Sequence, residues 1–69
     1  MKQIDIFNNL SKEITAVMLT ENGKSSLTYF TMDGNVIKSA WIDKSHISSI
    51  AHKLLNLGYE NIYRSVSNI

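Results

Sequence analysis

The sequence predicts an α+β fold: a three-stranded antiparallel sheet, a β-meander, packed by a C-terminal helix. Three observations predict it. Asn22-Gly23 and Asp33-Gly34 each stand between runs rich in Val, Ile, Thr, Tyr and Phe. Such dipeptides mark hairpins, because type I′ turns need positive φ at both central residues. After residue 43 the apolar spacing changes from two to three and four, the period of a helix. Finally, 69 residues with no proline leave one small core and nothing to mark a second domain, so 1–69 reads as a single domain.

The first segment, KQIDIFNNLSKEI, predicts a short helix burying Ile4, Phe7, Leu10 and Ile14, or alternatively a short strand using Ile4 and Ile6. Strands follow over residues 14–21, 25–32 and 35–42. If both loops have two residues, Met18 faces Leu27, Ala16 faces Tyr29, Tyr29 faces Lys38 and Leu27 faces Ala40. Register assigns each side chain to a face of the sheet. One face then carries Ile14, Ala16, Met18, Leu27, Tyr29, Val36, Ala40 and Ile42; the other carries Val17, Leu19, Phe30, Met32, Ile37 and Trp41. Neither is plainly polar. A sheet with one solvated side alternates apolar with polar, so this one calls for cover on both sides, or cover on one and a partner on the other.

The helix supplies one cover. Asp43 suits the N-cap, its carboxylate accepting from the amides of Ser45 or His46, and Gly58 suits the position after the last turn. Ile47, Ile50, Ala51, Leu54 and Leu57 form the core stripe, while Ser48, Ser49, His52, Lys53 and Asn56 take the solvated arc. A Schellman ending at Gly58 would bring Tyr59 onto Leu54. Beyond it, Ile62, Arg64 and Val66 alternating with Tyr63 and Ser65 read as a short fourth strand or a last helical turn.

Chemistry-bearing patterns are sparse. With no cysteine, disulfides, thiolate metal sites and thiol nucleophiles are excluded. His46 and His52 lie six apart, about 120° around a helix and roughly 9 Å along it, too far to share one metal ion. None of the nine serines sits in a G-x-S-x-G turn. The three glycines belong to turns and a cap rather than to a phosphate loop, and the carboxylates Asp5, Glu13, Glu21, Asp33, Asp43 and Glu60 are scattered. The expectation is a non-enzyme with no cofactor and no metal.

Seven basic and six acidic side chains leave a net charge of +1, so no global field draws the chain to nucleic acid or to an anionic membrane. No stretch reaches the ~18 apolar residues of a membrane span, and MKQIDIFNNLSKEI lacks a continuous apolar signal region, so the expected location is cytoplasmic. Six lysines against one arginine, with many Asn, Ile and Ser residues, match an AT-rich phage or bacterial genome.

The expected α-β-β-β-α order resembles, in outline, double-stranded-RNA-binding domains and the three-stranded-sheet DNA readers of some integrases. That resemblance implies nucleic-acid binding. The lysine-rich helix start of the RNA-binding domains is reduced here to Lys44, with Ser45 and Ser48 where further cations would stand. A nucleic-acid surface would draw on Lys24, Lys38, Lys44, Lys53 and Arg64 beside Tyr29, Phe30 and Trp41. The two-faced sheet favours a different class, a non-enzymatic adaptor or inhibitor that binds another protein, or itself as a homodimer. Its interface would be a sheet face carrying Trp41, Phe30, Met32, Ile37 and Leu19, or a strand edge.

Overall fold

A computed structural model describes residues 1–67. It contains five strands, not three: β1 (Lys2–Asn9), β2 (Ile14–Glu21), β3 (Lys24–Thr31), β4 (Val36–Ile42) and β5 (Glu60–Ser67). A short 3-10 turn (Lys44–His46) and helix α1 (Ile47–Asn56) separate β4 from β5. The sheet order is β4-β3-β2-β1-β5, and every pairing is antiparallel. The α-β-β-β-α outline is therefore absent.

The N-terminal segment accounts for most of the difference, for it is a strand and not a helix. Phe7, Asp5 and Asn9 point to the buried face, while Ile4, Ile6 and Asn8 alternate with them on the other. Leu10, which a helix would have buried, stands 77% exposed at the tip of the β1–β2 connection. That connection carries no Asn-Gly signal. It closes instead through Asn9 Oδ1, which accepts from the Lys12 amide at 3.2 Å, and through Glu13, whose φ is +56°. A strand here gains ladder hydrogen bonds on both sides, from β2 and from β5, which no exposed helix could offer.

The central hairpin has the expected geometry. Asn22 and Gly23 both take positive φ, +53° and +76°, and Met18 pairs with Leu27 and Ala16 with Tyr29. The second hairpin closes differently. Only Gly34 has positive φ, the Gly34 amide donates to the Thr31 carbonyl at 3.0 Å, and the Thr31 amide donates to the Asn35 carbonyl at 2.9 Å. This is a three-residue loop, Met32-Asp33-Gly34, and it moves the register by one. A bulge at Ile37 moves it back, so Tyr29 still pairs with Lys38 and Leu27 with Ala40. Between loop and bulge, Val36 pairs with Phe30. It consequently lies on the face opposite to that of Tyr29, not on the helix-covered face where strict alternation puts it.

One helix covers one side. Phe7, Ala16, Met18, Leu27, Leu54 and Tyr59 are the buried core, with Ile14, Tyr29, Ile42, Ile47, Ile50 and Ala51 packed around it. Asp43 caps the 3-10 turn that leads into the helix, its Oδ1 accepting from the amide and hydroxyl of Ser45 at 3.0 and 2.9 Å, whereas α1 itself starts at Ile47 with no side-chain cap from His46. It ends in a Schellman motif: the Tyr59 amide donates to Leu54, the Gly58 amide donates to Leu55, and Gly58 takes φ +93°. This turn drives Tyr59 into the core, where its ring meets Tyr29 edge to face at 6.4 Å. Leu57 departs from the expected stripe and is half exposed; its carbonyl accepts from Asn9 Nδ2 at 3.2 Å.

Both edge strands carry a bulge, at Ile37 in β4 and at Ile62 in β5. Bulges interrupt the regular row of free backbone groups that would otherwise template edge-to-edge pairing.

Candidate functional site

The side of the sheet away from α1 has no cover among the described residues. Register places its side chains in cross-strand rows. One inner row runs Trp41, Ser26, Leu19, Ile4 and Ser65 from β4 to β5, and the next runs Ser39, Thr28, Val17, Ile6 and Tyr63. A third holds Val36, Phe30, Thr15, Asn8 and Glu60. The centre is an aliphatic block of Ile4, Ile6, Val17 and Leu19, each half-buried by its neighbours. Aromatic side chains stand around it, with Trp41 78% exposed and Tyr63 51% exposed.

Charge is confined to the ends of this face. Lys24, Glu21 and Lys2 form the row beyond Trp41 and Leu19, with Lys2 Nζ 3.4 Å from Glu21 Oε2. Glu60 marks the opposite corner. The two inner rows carry no charge, and within the second of them Thr28 Oγ1 bonds to Ser39 Oγ at 2.8 Å. The face therefore has an apolar centre inside a polar, partly charged rim.

Of the residues expected at an interface, Trp41, Phe30 and Leu19 share this face. Met32 joins it from the hairpin loop, its sulfur 3.7 Å from Thr15 Oγ1. Ile37 sits at the bulge on the β4 edge and borders a separate depression with Ile14, Thr31 and Met32. Ile4, Ile6 and Tyr63 also belong to the face. Reading the first segment as a helix hid the two isoleucines, although the period-two spacing of Ile4 and Ile6 carried the signal. Tyr63 required the pairing of β5 with β1.

The cations expected for nucleic acid are divided. Lys24 and Lys44 line, with Trp41, an open cleft of about 550 Å³ that Asp43 also borders. Lys38 lies on the helix side of β4, beside Tyr29 and Ile50 in a cleft of about 270 Å³ where α1 leaves the sheet edge uncovered. Arg64 lies on the helix side of the opposite edge strand, where its Nε donates to Asp5 Oδ1 at 2.6 Å. That bond, and the adjacent carboxylate charge, raise the Arg64 pKa further above its already high ordinary value. Lys53 and both histidines are exposed on α1 and the turn before it. Tyr29 is committed to the core side, and burial followed by the neighbouring Tyr59 raises its pKa.

Buried polar groups on the helix side serve structure. Asp5 accepts from Arg64 and from Gln3 Nε2, and Thr20 and Ser25 bond to each other at 3.0 Å. No buried side-chain polar atom among the described residues lacks a partner. Among the described residues no group of three or more His, Asp or Glu side chains able to hold a metal occurs, and no helix is long and apolar enough to cross a membrane. Compared with protein-family models, with curated proteins and with solved structures, the chain matches none.

Proposed function

We propose that this chain is a non-enzymatic interaction module that binds protein through its open sheet face. The observation that supports the reading is the pair of uncharged inner rows around Ile4, Ile6, Val17 and Leu19, bordered by Trp41, Phe30 and Tyr63. Leaving such a patch in water forgoes about 25 cal/mol for each Å² that a partner would cover. Affinity capture from a lysate of the native host, with and without nuclease, tests it when wild type is run beside Leu19→Lys. Protein association that resists nuclease and is lost in the variant supports the reading. Association that disappears with nuclease, or that ignores the charge placed at Leu19, overturns it.

A second reading has its own observation. Lys24 and Lys44 line one cleft with Trp41, where a base could stack on the indole beside two cations. Nucleic-acid binding there would leave Lys38 and Arg64 without a role, since both lie across the sheet from it.

A further inference from the structure

The open face is complementary to itself. Consider a two-fold axis running across the strands, between the Trp41–Ser65 row and the Ser39–Tyr63 row. Each strand then lies antiparallel over its own copy, and each inner row lies over the other. Trp41 is set over Ser39 and Tyr63 over Ser65, a large side chain over a small one at both edges. In the centre, Leu19 meets Val17 and Ile4 meets Ile6, aliphatic on aliphatic. A large group over a small one lets the two layers interdigitate at the edges, while on β3 Ser26 meets Thr28, one hydroxyl side chain over another.

The same axis resolves the charges. It carries the Lys24, Glu21 and Lys2 row over the Phe30, Thr15 and Asn8 row of the other copy, so that no like charges are opposed. Lys24 comes over Phe30, and Glu60 over Ser67. An axis along β2 would instead set Lys24 over Lys2 and Glu21 over itself.

Area is sufficient as well. Five strands at ~4.8 Å spacing and about seven residues at ~3.3 Å rise give a face of roughly 24 × 23 Å, on the order of 550 Å² per copy. The pair would bury about 1,100 Å², above the ~1,000 Å² that a specific interface needs to clear.

From this self-complementarity we infer that the partner of the open face is a second copy of this chain. The two sheets pack face to face as a sandwich, with the helices outside. The inference rests on the reading of the face as a protein interface and adds the identity of its occupant.

Sedimentation equilibrium of the purified chain across a wide concentration range tests it, with far-UV circular dichroism confirming that each variant folds. Wild type is expected to dimerise, and Leu19→Lys and Val17→Asp each to raise the dimer dissociation constant at least 100-fold. Lys53→Glu, on the solvated arc of α1, should not change it. Because Leu19 faces Val17 of the other copy, mixing Leu19→Lys with Val17→Asp should restore a dimer that neither variant forms alone. A wild type that stays monomeric at every concentration overturns the inference while leaving nuclease-resistant capture of a different protein through the same face intact. A dimer indifferent to both charged variants overturns the inference and places self-association on another surface. Two monomeric variants that fail to rescue each other overturn the stacking of each strand on its own copy.

Discussion

Arg64 stands directly opposite Asp5 across the β1–β5 ladder, its Nε 2.6 Å from a carboxylate that is 4% exposed. The pair ties the closing strand to the N-terminal one at a separation of 59 residues in sequence. It also explains why an acidic residue is tolerated between Met18 and the strand edge.

Arg64→Ala is expected to destabilise the fold, because it leaves a buried carboxylate with Gln3 as its remaining side-chain donor. Adding Asp5→Asn should recover part of the loss. A double-mutant cycle measured by urea denaturation would show non-zero coupling. Strict additivity of the two substitutions would mean that the pair does not secure β5.

The two faces of the sheet should respond to truncation in opposite ways. Leu54→Ala opens the centre of the core under α1 and is expected to cost about 2–5 kcal/mol. Trp41→Ala, on a side chain open to solvent, should change the stability of the dilute monomer by no more than ~0.5 kcal/mol and act on association instead. Fluorescence of this single tryptophan gives the quick check: red-shifted and quenchable at high dilution, shifting blue as concentration rises. Shielded emission in a dilute monomer would contradict an open face.

The 3-10 turn that leads into the helix should be sensitive to acid. Hydrogen bonds from the backbone and then the side chain of Ser45 lower the Asp43 pKa from its ordinary value of 3.8. A carboxyl depressed in the folded state stabilises it above the unfolded pKa and loses that contribution as pH falls through the folded value. Asp43→Ala should therefore be less stable than wild type at neutral pH, and the gap should close below 3.8. Urea midpoints followed from neutral pH into that range measure it. A gap that persists unchanged in strong acid would assign the effect to something other than the ionised cap.

Salt separates the two functional readings. Binding of an oligonucleotide beside Lys24, Lys44 and Trp41 would weaken steeply between about 50 and 200 mM salt as counterions are released. For a protein interface with uncharged inner rows, the expected outcome is weak or no oligonucleotide binding at physiological salt and an association little affected by it. Lys24→Glu measured by fluorescence anisotropy decides the point. Tight binding that this charge reversal abolishes would favour the nucleic-acid reading.

Features that depend on neighbouring residues were legible in the sequence. Asn22-Gly23 specifies a tight turn because few residue pairs tolerate two positive φ values, and that turn sets the register of β2 on β3. Asp43 opens the 3-10 turn that leads into the helix and Gly58 closes the helix by the same kind of local constraint, and the apolar character of both sheet faces follows from alternation alone. Phe30, Leu19 and Trp41 could thus be placed on one face before any fold was known.

Only the tertiary structure decided what the first segment became. Ile4, Phe7, Leu10 and Ile14 have helical spacing, while Ile4 and Ile6 have strand spacing. Local propensity does not separate the two when the outcome depends on partners 5 to 19 residues away in β2 and 52 to 65 away in β5. Pairing with β2 and β5 settled it, turning a three-stranded sheet into a five-stranded one and adding Ile4, Ile6 and Tyr63 to the open face. The bulge at Ile37 was equally out of reach, because a three-residue loop followed by an extra residue leaves the register that a two-residue loop would give. Val36 changed sides for that reason. A strand's residues report which of them share a face, but the long-range ladder determines how many strands that face contains.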